Sequence, residues 1–236
     1  MAFNMVKKTT TLVVVMLIAS QLHSQVLIAL LFGDKLNTDK LDFGLTAGLN
    51  LSTISNLADA KTKEGLNLAL FFNIKLNDSW YIHPEAALKY AAGAKSLKPY
   101  ALGDESLDNL LADGTVTRQI STIAVPLMMR YRIKGQFFAE AGPQIGIRTR
   151  AKDLFENGDL SYENNLKDQV TRFDAGLAFG FAQKLKKDPG AVALSIRYYA
   201  GFTDTDKLTA GSQKYGVFQL LASIPVGGGK QKKEKK

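Results

Sequence analysis

The sequence predicts an all-β fold: an eight-stranded antiparallel β-barrel of the membrane-spanning kind, wound as an up-and-down meander. Three observations predict it. The strands run to about 11–13 residues, against roughly 5–6 for a usual soluble strand and about 9–11 for a tilted strand that crosses a bilayer. The apolar faces read along them contain no Asp, Glu, Lys or Arg. The connections alternate regularly between short turns and long loops, as they do in bacterial outer-membrane barrels.

The clearest stretch is Thr122–Ile147, two strands joined by a tight turn at Lys134–Gly135. Side chains alternate across a strand. Ile123, Val125, Leu127, Met129, Tyr131 and Ile133 therefore share one face, with Ala124, Met128, Arg130 and Arg132 on the other. In the second strand Phe137, Ala139, Ala141, Pro143, Ile145 and Ile147 oppose Phe138, Glu140, Gln144 and Arg148.

Taken in order, residues 1–24 have the pattern of a signal peptide: Lys7 and Lys8, an apolar run from Leu12 to Ala19, then a small and polar cleavage region before Gln25. Gln25–Lys40 is an N-terminal periplasmic segment, either a short helix over Val26–Phe32 or a disordered spacer. The barrel is assigned to 41–226. Strand one is Leu41–Ser52, followed by the polar loop Asn56–Glu64. Strand two, Gly65–Leu76, leads through the turn Asn77–Ser79 to strand three, Trp80–Ala91, with His83, Glu85 and Lys89 on its polar face and Tyr90 on its apolar face. Ala92–Arg118 is a long loop in which Leu107, Leu110 and Leu111 suit a helical turn. After the hairpin, Thr149–Thr171 is a second long polar loop. Strand six is Arg172–Lys184, Lys186–Gly190 a short turn, strand seven Ala191–Gly201, Thr203–Gln213 a loop, and strand eight Lys214–Pro225, apolar on both faces. Residues 227–236 are a Gly break and a basic tail expected to be disordered.

Alternation also fits a soluble lipocalin-like barrel. The membrane reading is favoured by the uncharged faces, by Gly and Ala beside charges on the opposite faces, as a narrow lumen requires, and by aromatics near strand ends. Those are Trp80, Tyr81, Tyr90, Tyr131, Phe137, Tyr198, Tyr199 and Tyr215, expected to form an interfacial girdle. Pro84, Pro126 and Pro143 each remove a ladder donor, and bulges are expected at them.

The net charge of +8 resides mostly at the termini. Without Lys7 and Lys8, and with +4 carried by Lys230–Lys236, only +2 remains on Gln25–Gly229. That gives no basic domain face and no support for nucleic-acid binding. The chain has no cysteine, which excludes disulfides, thiolate metal sites and a lipoprotein anchor.

Several segments, in order, resemble the PorT family of outer-membrane β-barrel proteins. They are FGLTAGLNLSTIS (Phe43–Ser55), VPLMMRYRI (Val125–Ile133), FFAEAGPQIG (Phe137–Gly146), RFDAGLAFG (Arg172–Gly180) and LSIRYYAGFTD (Leu194–Asp204). The resemblance spans about Gln25–Val226. It implies an eight-stranded barrel in the outer membrane of a Bacteroidetes-type bacterium, a link to type IX protein secretion through the family's namesake, and no catalytic residues. One departure is that the last strand ends at Ile224–Pro225 before the Lys-rich tail, with Tyr215 and Phe218 as its aromatics.

The polar faces carry the candidate chemistry. His83 and Glu85 share one face and, with Ser195 as nucleophile, would suit a hydrolase; a satisfied polar pair inside the barrel is the better reading. Asp204 with Asp206, and Asn157 with Asp159, match turn chemistry better than a calcium-loop spacing. No cofactor, metal or catalytic residue is assigned. Asp42, Glu85, Glu140 and Asp174 share the lumen with Lys75, Lys89, Arg130, Arg132, Arg148 and Arg197, and are expected to pair. With Tyr199, Phe138, Met128 and Phe71 they would fill an eight-stranded barrel rather than line a small pore. The expectation is a monomeric, non-enzymatic barrel with an interaction role. Its partners are outer-membrane lipid and an envelope or secretion protein, engaged by the long loops or the tail.

Overall fold

The computed structural model describes residues 38, 40–187, 190–206 and 211–226. The signal peptide, nearly all of the 25–40 segment and the basic tail lie outside the described residues. Nine strands form one sheet: β1 Leu41–Ile54, β2 Lys61–Lys75, β3 Trp80–Leu97, β4 Thr115–Lys134, β5 Phe137–Asn157, β6 Leu160–Asn165, β7 Phe173–Lys184, β8 Ala193–Gly201 and β9 Tyr215–Pro225. Among the described residues one short helix, α1 Glu105–Leu111, lies between β3 and β4. All pairings are antiparallel. β1 closes on β9, and β6 pairs only with the far end of β5, so the closed ring has eight strands. The eight predicted strands and their meander order match this ring. Among the described residues no helix is long and apolar enough to cross a membrane.

The alternation on β4 is nearly perfect. Ile123, Val125, Leu127, Met129, Tyr131 and Ile133 are exposed, whereas Ala124, Met128 and Arg130 are buried. β7 and β8 do the same, with Phe173, Leu177, Phe179, Phe181, Leu194, Ile196 and Tyr198 exposed. In a closed barrel this means that the apolar residues point out and the polar ones in, the reverse of a soluble barrel. β9, ambiguous in sequence, turns Phe218, Leu220 and Ile224 outward and Val217, Gln219, Leu221 and Ser223 inward.

The belt has a definite height. On β4 it runs from Ile123 to Ile133, eleven residues, or about 37 Å along the strand at roughly 3.4 Å per residue. A tilt of about 35–45° reduces that to about 26–30 Å, which matches the apolar band of a membrane barrel. At its upper edge Ile123 faces Ile147; the next outward-facing pair above it is Ser121 with Arg150. At the lower edge Trp80 packs on Tyr131, ring centroids 4.8 Å apart.

The expected long loops are largely strand. β3 continues to Leu97, β4 begins at Thr115, β5 continues to Asn157 and β6 follows after a two-residue turn. The predicted loop at Ala92–Arg118 is thus reduced to 98–114, with the helical turn expected around Leu107 realised as α1. Asp104 caps α1 by accepting from Leu107 N at 3.1 Å. The predicted loop at Thr149–Thr171 is mostly the β5–β6 hairpin.

The prolines do not make bulges. The ladder lapses beside them, between Pro84↔Leu127 and Ala87↔Ala124 and between Pro126↔Gln144 and Met129↔Ala141, then resumes in the same register. The pairing at Pro143↔Leu177 is continuous. The irregularities fall elsewhere. An extra residue at Leu88–Lys89 shifts β3 against both neighbours, and Thr149 is extra on β5 against β4. Each slip reverses which face the following side chains take. Tyr90 is therefore buried and Lys89 exposed, the opposite of the sequence expectation.

The aromatic girdle is half the predicted size. Trp80, Tyr131, Phe137 and Tyr198 face out, while Tyr81, Tyr90, Tyr199 and Tyr215 are buried inside. Phe137 stacks on Phe181 at 5.5 Å with the rings nearly parallel.

Candidate functional site

Two regions carry concentrated polar chemistry: the lumen and the extension above the belt. The lumen is built by residue parity. Arg130 and Glu140 stand directly opposite each other on β4 and β5. Gly180 lies between Glu140 and Arg197 in the β5–β7–β8 register. A Cβ on Gly180 would come within 2.1 Å of Ile196 O and 2.8 Å of Arg197 Cα. The glycine thus lets the strands approach and leaves the space over which Arg197 reaches.

The result is a buried five-residue array. Arg130 Nε donates to Glu140 Oε2 at 2.6 Å, and Arg197 Nε to Glu140 Oε1 at 2.9 Å. Arg197 Nη2 donates to Glu85 Oε1 at 2.8 Å, and the same oxygen lies 2.9 Å from His83 Nε2. None of the five is more than 5% exposed. β3 and β8 are four seams apart in the eight-stranded ring, so the Arg197–Glu85 contact joins opposite walls of the barrel. Two guanidinium groups balance two carboxylates, which is the condition for keeping charges in a desolvated interior.

Other layers continue the filling. Toward the short-turn end, Lys184 pairs with Asp42 at 3.0 Å and Asn73 donates to the same carboxylate at 3.2 Å. Tyr81 and Phe138 pack edge to face, and the Arg132 guanidinium lies 5.4 Å from both ring centroids while it donates to the Tyr81 hydroxyl. Phe71 packs on His83 at 5.1 Å. Toward the long-loop end, Asn67 and Gln219 both donate to Asn50 Oδ1 at 3.3 Å, and Thr46 bonds Ser223. Tyr199 donates to Asp174 at 2.6 Å. Gly176 makes room for that ring: its Cβ would lie 2.7 Å from Tyr199 Cε2.

The predicted lumenal charges therefore pair as expected at Asp42, Glu85, Glu140, Arg130 and Arg197. Three depart. Lys89 faces out. Lys75 turns to Asp78 in the β2–β3 turn, at 2.7 Å. Arg148 bonds the backbone oxygens of Lys167 and Thr171. His83 and Glu85 do form a pair, but no hydrogen bond joins Ser195 to His83; Ser195 Oγ and His83 Nδ1 are both buried without a protein partner. The arrangement lacks the Ser–His contact that a catalytic triad uses. Asp204 accepts from Asp206 N and Gln213 N, the turn role expected for it. Among the described residues no His, Cys, Asp and Glu cluster could hold a metal.

The extension has a packed interior, continuous with the lumen through Ala124, Met128 and Tyr199, that no pattern in the sequence announces. Leu97, Leu111, Val116, Ile120, Ala151, Phe155, Leu166 and Val170 are buried in it, with Leu102 and Leu107 packed alongside. Above the belt the polar centre is Asp153. Arg118 grips it with two bonds, Nε at 3.0 Å and Nη2 at 2.8 Å, and the Tyr100 hydroxyl donates to it at 3.0 Å. Asn164 donates to the Tyr100 oxygen at 2.9 Å, tying β6 to the β3–β4 connection. Burial, with the Asp153 charge beside it, pushes the Tyr100 hydroxyl up to about 12. Positions 100, 118, 153 and 164 share no motif. The only trace in the sequence is the alternation of Ala151, Asp153 and Phe155.

The fold resembles solved outer-membrane proteins at low identity. Neisserial surface protein A is 10% identical, with a TM-score of 0.47 over 78% of this chain and 96% of that one. Ail, the attachment invasion locus protein of Yersinia pestis, is 14% identical, with a TM-score of 0.39 over 79% and 99%. OprG from Pseudomonas aeruginosa is 16% identical, with a TM-score of 0.36 over 78% and 91%. No curated protein sequence gives a significant match. The family model described as "Outer membrane protein beta-barrel domain" matches residues 20–207. With its outward apolar belt, closed eight-stranded ring and polar interior, the chain belongs to this family of bacterial outer-membrane β-barrel proteins.

Proposed function

We propose that this protein is a non-enzymatic outer-membrane scaffold of the PorT type. It acts as a monomer and presents the β3–β6 extension and α1 to a protein partner of the envelope, within type IX secretion. The observation that carries the reading is the contrast between the two polar regions. The lumen is crossed by the Arg197–Glu85 pair, an arrangement suited to holding walls together rather than passing solutes. The extension is a packed body about 17–20 Å above the belt, from the seven residues Thr115–Ser121 at the same rise and tilt. Rigid strands that overshoot the bilayer serve a surface, since spanning needs only about 9–11 residues. Bacterial barrels keep their short turns in the periplasm, so the extension faces outward from the cell. The secretion role rests on the sequence resemblance of the five segments quoted above.

The test uses a deletion strain. Cargo of the type IX route is measured in the medium and should fall. Full-length protein should restore it; a variant in which 98–114 is replaced by a short turn should not. Unchanged cargo in the deletion strain removes the secretion role. Restoration by the shortened variant removes the extension as the working surface.

A further inference from the structure

We propose that Lys89 and Arg150 form a binding site for the phosphate groups of an anionic lipid in the outer leaflet. Two register slips build it. The extra residue at Leu88–Lys89 on β3 turns Lys89 outward, opposite Leu68 of β2. The extra residue Thr149 on β5 turns Arg150 outward, opposite the exposed Ser121 of β4. Without the slips, parity would send both cations into the lumen. The two strands flank β4, and the slips lie at nearly one height. Lys89 is level with Ile123 and Arg150 with Ser121, directly above the Ile123↔Ile147 pair that ends the apolar belt.

Bulges that re-aim side chains are common at barrel rims. Here both deliver a cation to the depth where lipid headgroups begin. Both side chains are exposed, and among the described residues neither makes an ion pair or hydrogen bond. The outward carboxylates on neighbouring strands are already engaged, Glu64 by Lys95 at 2.8 Å and Glu163 by Lys152. A guanidinium offers two parallel donors to a phosphate, and a lysine adds a mobile point charge on a stem that lies along apolar surface. A soluble anion would not require the site to abut the belt, so a lipid is the fitting source. The leaflet follows from the proposed outward orientation of the extension; the binding itself does not.

The test uses the purified full-length barrel in zwitterionic detergent, with native mass spectrometry and thermal melting as readouts. Folding of each variant is checked by its shifted mobility on unheated gels. The probes are bis-phosphorylated lipid A, the same lipid after phosphatase treatment, inorganic phosphate, and heparin as a soluble polyanion. Wild type should retain phosphorylated lipid A. K89Q/R150Q should lose about 30-fold in affinity, from roughly 1 kcal/mol per cation at a charged surface and 1.4 kcal/mol per tenfold. The control K134Q, at the opposite rim, should bind as wild type. Equal binding by K89Q/R150Q, or equal binding of the dephosphorylated lipid, overturns the site. Displacement by inorganic phosphate at millimolar levels makes it a free-phosphate site, and displacement by heparin a polyanion site; either overturns the lipid assignment. None of these outcomes depends on the secretion role.

Discussion

Replacing Arg197 with Met tests whether the lumen is dry and closed. Arg197 is 1% exposed and holds two carboxylates, Glu85 at 2.8 Å and Glu140 at 2.9 Å. Removing it leaves Glu140 with Arg130 alone and Glu85 with only the imidazole of His83. The array goes from balanced to one uncompensated buried negative charge. Breaking a buried pair in this way costs about 3–5 kcal/mol, whereas an exposed pair is worth about 0–1 kcal/mol. The double variant R197M/E85Q removes the stranded charge and leaves the Arg130–Glu140 pair intact, so it should recover at least about half of the loss. The assay is reversible urea unfolding of the barrel in lipid vesicles. Trp80 is the only tryptophan in the chain, and it sits at the lower edge of the belt, where its fluorescence reports exit from lipid. A loss below about 1 kcal/mol in R197M would mean a solvated lumen, and a double variant no better than the single would mean that the stranded carboxylate is not the cause. Either result refutes the reasoning.

Other outcomes follow from the same geometry. Trypsin on intact cells should cut after Lys167, which is exposed in the turn between β6 and β7, and should spare Lys98, whose next residue is Pro99, and Arg118, Arg150 and Lys152, which lie in paired strand; mass spectrometry of the released peptides reads this. Gly93→Ala should lower the unfolding free energy by more than about 2 kcal/mol, because Gly93 has φ +136° and an added Cβ would come 2.0 Å from Arg118 O. Tyr100, raised to about 12 in the fold, ionises near pH 10 when released. Its contribution is complete below about pH 10 and is lost as pH rises toward about 12. Absorbance at 295 nm should show that Tyr100→Phe lowers by one the number of tyrosines titrating near pH 10 in unfolded protein and leaves that number unchanged in folded protein. In planar bilayers the purified barrel should stay electrically silent, and stepwise conductance would refute the filled lumen.

The ring itself was legible because lipid outside and polar packing inside give opposite faces opposite chemistry. That contrast runs unbroken over Ile123–Ile133 and Phe173–Phe181. The lumenal pairs were legible as charges on one parity, although not which carboxylate meets which arginine, since Arg197 and Glu85 are joined across the ring. Above the belt the contrast fails. In RTRAKDLFEN, Arg148–Asn157, one face meets water and the other a small mixed core, so the strand resembles a polar loop. The slips at Leu88–Lys89 and Thr149 carry no Gly or Pro to mark them, and they reverse the side chains that follow. The prolines that should have marked bulges instead interrupt pairing for two positions and keep register. Tyr90 shows the consequence: its place near a strand end suggested the girdle, and one extra residue put it inside the barrel.

The most direct test of the central claim, a lipid belt ending at Ile123–Ile147 beneath an outward-facing strand extension, is cysteine labelling along β5. The chain has no native cysteine, so single substitutions report alone. On intact cells, a membrane-impermeant maleimide should label Arg150→Cys and Leu154→Cys and leave Ile145→Cys and Ile147→Cys unmodified. Labelling at 145 and 147, or labelling at 150 and 154 only after the cells are broken, would contradict it.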